Sequence, residues 1–297
     1  MRIRPCPSRW PWRPRSWTAP SRTCSCRASP GADVAPCALF ARSQGHGPPV
    51  LLLHGLFGAA HHWHDIARRL APRGEIVTAD LRNHGRSPHM PHMDYAAMAD
   101  DVLALLDARG IERASIVGHS MGGKVAMAMA LRAPDRVSRL AVVDIAPVAY
   151  PDRYGELIRA AQALDLRTLR SRAQADARLA AHIAQPALRA MLLQNLRPDP
   201  QGVWCWRIGW AGILASLQAL CGFPNDLAGA HGGMPALFVK GGVSDHVDGA
   251  GEQAILAHFP QAQIVSLAGA GHWVQAEQPD ALARLLAGFL FEAAALA

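Results

Sequence analysis

Residues 115–131, SIVGHSMGGKVAMAMAL, join an apolar run to a helical pattern with no loop between them, and glycines at 118, 122 and 123 surround Ser120 at the junction. A serine on so sharp a strand-to-helix turn needs strained backbone angles, and larger neighbouring side chains would collide there. The spacing G-x-S-x-G in this context predicts a nucleophile elbow, which presents the Ser120 hydroxyl at the end of a strand. An inert serine in a glycine-rich turn is the alternative interpretation.

Short apolar runs alternate with amphipathic helical patterns along most of the chain. The predicted strands are residues 48–55, 75–81, 114–119, 140–145, 236–242 and 262–269. Between two of these strands, residues 95–110 place their apolar side chains on one helical face and end at Gly110, a natural stop. Buried strands that alternate with helices are typical of an α/β protein, in which helices cover both faces of a mostly parallel sheet.

The alternation stops in one long segment of the chain. Residues 146–234 have a helical pattern and no predicted strand, so we expect a helical cap inserted over the carboxyl edge of the sheet. Residues 38–145 and 235–297 would then form the α/β core. Residues 1–37, rich in Pro, Arg, Ser, Trp and Cys, lack periodicity and are predicted to be a disordered extension or the product of a start codon assigned too early. A transit peptide is a further interpretation of the same segment.

The net charge of +7 is concentrated at the amino end. Residues 1–47 hold eight Arg and one Asp, so the remainder of the chain has 22 basic and 22 acidic residues. A neutral body argues against a nucleic-acid partner, which would need basic residues clustered on the fold. No apolar run approaches the roughly 18 residues of a membrane span. Four of the six cysteines lie in residues 1–37, which predicts a reducing, cytoplasmic location with no disulfide framework.

A serine hydroxyl is a poor nucleophile until a base removes its proton. His272 lies in a glycine-flanked loop directly after the last predicted strand, where such a base is expected; an ordinary surface histidine is the alternative. The reaction also places negative charge on an oxygen, which main-chain N–H groups can stabilise. The N–H groups of Leu56, after the first predicted strand, and Met121, after the serine, are the predicted donors.

Two carboxylates could orient the imidazole of His272. Asp245 follows the strand predicted at 236–242, and Asp144 ends the strand predicted at 140–145. Only one aligned carboxylate is needed to hold the histidine tautomer. Asp245 is the first choice, and Asp144 is the alternative acid.

Three further motifs allow both structural and functional interpretations. The polar turn with Asp80, Arg82, Asn83, His84 and Gly85 is expected to brace a loop, and not to take part in chemistry. The run HHWHD at 61–65 suggests a metal site, but three histidines in four residues cannot all face one ion from a helix, so no metal is predicted. Three tryptophans in the cap segment could line an acyl pocket or only pack the cap: Trp204, Trp206 and Trp210.

These stretches together resemble the α/β-hydrolase superfamily over residues 48–294, and within it the small YbfF-type esterases. The stretches that carry the resemblance are VLLLHGLFG, ADLRNHGRSPH, GHSMGGKVAM, VVDIAPVAY, ALFVKGGVSDHV and AGAGHWVQAEQPD. The resemblance implies a serine esterase or thioesterase that acts on small-molecule acyl esters, with acyl-CoA among the candidates, and that needs no cofactor. It leaves the oligomeric state open.

Other activities fit the same framework. Cofactor-free haloperoxidases, carbon–carbon hydrolases and acyltransferases keep the serine, so the motifs do not separate them from an esterase. Haloalkane dehalogenases need a carboxylate where Ser120 stands, which argues against them. A non-catalytic ligand receptor would not need the serine, histidine and acid that this chain retains.

Overall fold

A seven-stranded sheet forms the centre of the computed structural model, which describes residues 35–292. Along the chain the strands are β1 (Ala41–Gln44), β2 (Pro49–Leu53), β3 (Glu75–Ala79), β4 (Ala114–His119), β5 (Val137–Val143), a separate hairpin of β6 (Leu196–Pro198) and β7 (Trp204–Trp206), then β8 (Ala236–Gly241) and β9 (Gln263–Leu267). The sheet order is β1-β3-β2-β4-β5-β8-β9, with β1 antiparallel to β3 and every other pair parallel. All six predicted strands are therefore confirmed.

Helices cover both faces of this sheet. They are α1 (His64–Leu70), α2 (Tyr95–Ala108), α3 (Met121–Arg132), α4 (Gly155–Ala163), α5 (Arg172–Leu179), α6 (Pro186–Leu193), α7 (Trp210–Ala215), α8 (Leu217–Cys221), α9 (Gly249–His258), α10 (Val274–Glu277) and α11 (Pro279–Phe291). Side chains of β2 alternate between the two apolar cores, with Leu51 and Leu53 facing α2 and α3, and Val50 and Leu52 facing α1 and α11. Because both faces of the sheet are buried, the side chains of its strands are apolar in succession and do not alternate with polar ones.

Helix α2 illustrates how the local sequence sets an element. The Asp94 side chain accepts a hydrogen bond from the N–H of Ala97 and caps its start. Gly110, just past its end, has a φ of +66°, which an L side chain adopts at a cost. Within residues 35–292, no helix has both the length and the apolar composition needed to cross a bilayer.

The segment predicted to be wholly helical contains helices α4 to α8 and one departure from that prediction, the β6–β7 hairpin. The Asp199 carboxylate accepts hydrogen bonds from the N–H groups of Gln201 and Val203, and Gly202 supplies a φ of +83°. A turn built in this way reverses the chain within a few residues. The prediction of no strand here was wrong because the turn chemistry was not recognised.

The amino-terminal boundary also differs from the prediction. Residues 1–34 of the predicted extension lie outside the described residues, but Cys37 is buried and donates both its N–H and its thiol hydrogen to Asp101. Asp101 forms a fully buried ion pair with Arg82, at 2.6 Å. Burial, together with the Asp101 charge, raises the pKa of Cys37 to about 12. Cys37 is therefore part of the folded core, close to β1, which pairs with β3 at the edge of the sheet.

Lys124 of α3 joins the sheet core to the segment between β5 and β8. Its ammonium group donates to the carbonyls of Val148 (2.7 Å), Cys221 (3.3 Å) and Gly222 (2.5 Å). It also lies 4.7 Å from the ring centroid of Tyr150. Burial lowers the pKa of Lys124 to about 7, and the three carbonyls and the ring oppose that shift by stabilising the charged form.

Lys124→Met is expected to lower the free energy of unfolding by about 2–4 kcal/mol, because buried carbonyl oxygens lose their donor. Urea denaturation followed by circular dichroism measures the change. The chain's only other lysine gives the matched control. Lys240 pairs with Glu252 at a partly exposed position, so Lys240→Met should cost less than about 1 kcal/mol. Equal losses in the two variants would show that Lys124 does not link the two parts of the fold.

Candidate active site

Ser120 lies on the sharp turn between β4 and α3. Its φ of 51° and ψ of −121° are strained for a residue with a side chain, and its N–H donates to the carbonyl of Val143, at 2.9 Å. A Cβ on Gly118 would collide with the carbonyl of Gly122, and a Cβ on Gly122 would lie 2.5 Å from the carbonyl oxygen of Leu53. The two glycines therefore allow the backbone to pass close enough for this turn to form.

His272, in the loop between β9 and α10, reaches Ser120. Its Nε2 lies 3.1 Å from the Ser120 Oγ, and its Nδ1 lies 2.7 Å from Oδ2 of Asp144. The carboxylate accepts from Nδ1–H, so Nε2 carries the lone pair that can take the serine proton. His119, the residue before the serine, donates from Nε2 to the His272 carbonyl at 2.8 Å and fixes that loop.

Asp144 follows β5 and is almost completely buried. One carboxylate oxygen accepts from the N–H of Gly241, at 2.8 Å, and the other accepts from the Ser244 hydroxyl, at 2.5 Å, as well as from His272. Donors on both oxygens hold the carboxylate in one orientation. Its φ of 52° turns the chain so that the side chain faces the histidine.

Asp245, the first choice for the acid, does not contact His272. Its side chain is 69% exposed, and its carboxylate accepts from the Arg153 guanidinium at 3.2 Å. That hydrogen bond and the positive charge of Arg153 lower the pKa of Asp245. The loop after β8 turns the Ser244 hydroxyl to Asp144, whereas the Asp245 carboxylate lines the cavity 3.3 Å from Nδ1 of His246. The predicted Asp245–His272 contact is therefore wrong, and the alternative, Asp144, occupies that position.

Two side chains near the histidine, His246 and Ser244, were not predicted from the sequence. The His246 ring stacks on the His272 ring, with centroids 3.6 Å apart and planes at 15°. Burial, and then the neighbouring His272, lower the pKa of His246 to about 4, so it stacks as a neutral ring. Ser244, which donates a hydrogen bond to Asp144, lies in the stretch VSDHV, and nothing in that stretch marks it as a partner of Asp144. No local pattern marks such partners, because they meet only when two strand ends come together.

Within the described residues, the side chains with metal-ligand spacing are Asp144, His246 and His272. Asp144 and His272 are hydrogen-bonded to each other at 2.7 Å, through the same atoms that an ion would need as ligands. The histidines of the run at 61–65 make other contacts. His62 hydrogen-bonds Gln194, and its ring packs against His61.

The loop after β2 carries the first predicted oxyanion donor. The N–H groups of Leu56 and Met121 make no hydrogen bond within residues 35–292, and both residues line the cavity at Ser120. Phe57 next to Leu56 has a φ of 64°, its N–H donates to Nε2 of His84, and its carbonyl accepts from the Asn195 side chain at 2.8 Å. These contacts fix the direction of the peptide that follows Leu56.

The polar turn after β3 braces this loop, as the sequence predicted. Asp80 accepts from the N–H groups of Ala60 and Arg86, and His54 accepts from the N–H of Leu81. Burial lowers the pKa of both His54 and His84 to about 3, so both rings are neutral and can accept these hydrogen bonds. Asn83 and Gly85, both with positive φ, complete the turn.

A cavity of about 180 Å³ opens beside Ser120. The segment between β5 and β8 contributes mostly apolar side chains to its wall: Ile145, Tyr154, Leu188, Met191, Leu217 and Leu220. The three tryptophans considered for this role do not line it. Trp206 packs edge-on against Trp210, which in turn packs against Phe57. The tryptophans therefore support the cavity from behind, which corresponds to the packing interpretation.

Residues 48–279 match the family described as alpha/beta hydrolase fold, and the chain belongs to that family. It is 38% identical to "Esterase YbfF" of Escherichia coli (strain K12), over 84% of this chain and 96% of that protein. It is 36% identical to "sn-1-specific diacylglycerol lipase ABHD11" of Mus musculus, over 93% of this chain and 94% of that protein. Among solved structures, "Marine microorganism esterase" superposes with a TM-score of 0.81 at 33% identity, covering 86% of this chain and all of that one. The chain is thus a hydrolase of this fold, and the proteins similar to it include esterases and a lipase.

Proposed function

We propose that this chain hydrolyses carboxylic esters or thioesters through an acyl-enzyme on Ser120, with His272 as the base and Asp144 as its acid partner. The observation that carries the proposal is the continuous hydrogen-bonded chain from Ser120 Oγ to His272 to Asp144, at 3.1 and 2.7 Å. It ends beside a largely apolar cavity, which suits an uncharged acyl group.

In the first half of the reaction, Ser120 Oγ attacks the acyl carbonyl carbon while His272 Nε2 takes its proton. The carbonyl oxygen becomes negatively charged and is stabilised by the N–H groups of Leu56 and Met121. The imidazolium is stabilised by the buried Asp144 carboxylate. His272 then gives the proton to the departing alcohol or thiol, and the acyl group stays on Ser120.

In the second half, water replaces the alcohol. His272 removes a proton from the water as it attacks the acyl carbon, and the same two N–H groups stabilise the charge again. Ser120 leaves as the alcohol after it regains the proton from His272. Every step uses side chains and main-chain groups of this chain, so the proposal includes no cofactor and no metal.

A substrate panel tests the proposal. Purified chain should hydrolyse p-nitrophenyl acyl esters, and a fluorophosphonate probe should label Ser120 at a stoichiometry near one. Acyl-CoA thioesters in the same panel test the thioester half, and added alcohol in place of water as acceptor tests for acyl transfer. Labelling without turnover of any ester or thioester would contradict the proposal.

Acyl-chain selectivity should depend on the cavity wall and not on the tryptophans behind it. Met191→Trp places a larger side chain at the wall, so the rate on octanoyl esters relative to acetyl esters should fall by about tenfold or more, a discrimination that an apolar pocket can supply. Trp206→Ala is the control, because Trp206 lies outside the wall. If Trp206→Ala shifts the octanoyl-to-acetyl ratio more than Met191→Trp, the wall has been assigned incorrectly.

We also propose a cytoplasmic site of action and small-molecule substrates, without nucleic acid. The distribution of cysteines supports a reducing compartment, since only Cys205 and Cys221 lie beyond residue 37. The neutral charge of residues 48–297 supports the absence of a nucleic-acid partner. Fractionation of cells that express the chain would test the location.

A further inference from the structure

A second cavity, of about 460 Å³, lies on the side of the molecule near the sheet edge at β1. Four arginines from different parts of the chain line it: Arg42, Arg86, Arg197 and Arg207. We call this cavity the arginine pocket. It shares no lining residue with the cavity at Ser120.

The four guanidinium groups have almost no opposing charge. Within residues 35–292, none of the four arginines forms an ion pair with a carboxylate. The acidic side chain that lines the arginine pocket is Asp80, and both of its oxygens accept from main-chain N–H groups. Outside the described residues, the sequence contains one acidic side chain, Asp33. Within residues 35–292, the four guanidinium groups are therefore opposed by one lining carboxylate, Asp80, which forms no ion pair with them.

Two of the guanidinium groups are held in place by a shared aromatic ring. The guanidinium carbons of Arg42 and Arg86 lie 5.6 and 4.8 Å from the ring centroid of Phe40. Stacking of this kind orients the planar fork while its N–H donors remain free for a ligand. Two cations packed on one ring repel each other, and a bound anion would relieve that repulsion.

Neutral donors complete the lining. Thr78 of β3, which is paired in register with Arg42 of β1, lines the arginine pocket and carries a hydroxyl. Gln194 also lines it, and since its amide oxygen bonds His62, its NH2 group can donate. The mixture of guanidinium, hydroxyl and amide donors is suited to an anion with several acceptor oxygens in three dimensions.

We propose that the arginine pocket binds a phosphate-bearing anion, either a phosphate monoester or a diphosphate. A tetrahedral phosphate group accepts from several guanidinium forks at once, whereas a single carboxylate has only two oxygens in one plane. The cavity is also large enough for organic atoms attached to the phosphate. This site is separate from Ser120, and its occupation does not depend on the proposed hydrolysis.

Isothermal titration calorimetry of the full chain with inorganic pyrophosphate, at low ionic strength, tests the proposal. We expect one saturable site whose affinity decreases as salt is added. The double variant Arg86→Gln/Arg197→Gln should weaken binding at least tenfold. The matched control is Arg68→Gln/Arg170→Gln, which removes the same charge from two exposed arginines outside the arginine pocket and should change affinity less than twofold. If the first double variant fails to fold, Arg42→Gln on the edge strand takes its place.

A second arm identifies the source of the phosphate. Glycerol 3-phosphate is titrated in solution, and vesicles of phosphatidylcholine with and without phosphatidic acid are used for co-sedimentation. Binding of glycerol 3-phosphate supports a soluble phosphate ester. Binding only to phosphatidic acid vesicles supports a lipid headgroup, provided that the Arg86→Gln/Arg197→Gln variant no longer binds these vesicles. Equal loss of affinity in the pocket and control variants, or no saturable binding in any arm, would overturn the proposal.

Discussion

Ser120→Ala is expected to reduce ester hydrolysis by roughly 10⁴-fold or more while the fold remains intact. The reason is that the nucleophile, its base and the acid act as a unit, so that the loss of the serine oxygen removes the covalent route altogether. The alanine keeps the Cβ that the turn at φ 51° already accommodates, so no new steric strain is introduced. Turnover of p-nitrophenyl acetate and labelling by a fluorophosphonate measure the effect.

The control for this variant is a serine in β4, the strand that precedes Ser120. Ser115 lies at the other end of β4 and hydrogen-bonds Ser138, away from the cavity. Ser115→Ala should keep turnover within about twofold of the unchanged chain, and both variants should give native circular dichroism spectra. Near-normal turnover by purified Ser120→Ala protein would reject the acyl-enzyme mechanism.

Asp144→Asn is expected to lower kcat by about 10³- to 10⁴-fold. An asparagine in this position can keep the acceptor for the Gly241 N–H, but it turns an NH2 group towards His272. The imidazole then accepts at Nδ1 and carries its proton on Nε2, which leaves no base for Ser120. The imidazolium also loses the negative charge that stabilises it.

The matched control is Asp245→Asn, which makes the same chemical change after the neighbouring strand, β8. Asp245 is an exposed partner of Arg153, so its loss should change kcat less than about twofold. Steady-state kinetics on one ester, with thermal unfolding to check the fold, separates the two carboxylates. If Asp245→Asn lost activity and Asp144→Asn kept it, the orientation of the loop after β8 would have to differ in the working enzyme.

Local sequence was sufficient to predict the sheet and two of the side chains in the proposed mechanism. Buried parallel strands are continuous apolar runs with glycine or polar residues at their ends, so the six strands could be predicted one by one. Ser120 was identified because its turn needs glycine at positions 118 and 122, and this spacing is visible within five consecutive residues. His272 was identified by its place after the last strand, and the structure brings it to 3.1 Å from Ser120.

The choice between Asp144 and Asp245 could not be made from the sequence. Both residues follow neighbouring parallel strands, β5 and β8, whose carboxyl ends lie at the same edge of the sheet. Which side chain faces His272 depends on the path of each loop. The backbone at Asp144 turns inward with a φ of 52°, where Gly241 and Ser244 hold the carboxylate, whereas Arg153 holds Asp245 at the surface.

The sequence by itself determined the α/β fold, the position of the serine on its turn and the loop of the histidine, because each depends on residues close together in the chain. Tertiary structure decided which carboxylate contacts His272, the stacking of His246, the apolar wall of the cavity and the arginine pocket. Each of these joins residues that are far apart in sequence. Their side chains meet only after the sheet has brought the strand ends together, and no local sequence pattern encodes contacts between such distant residues.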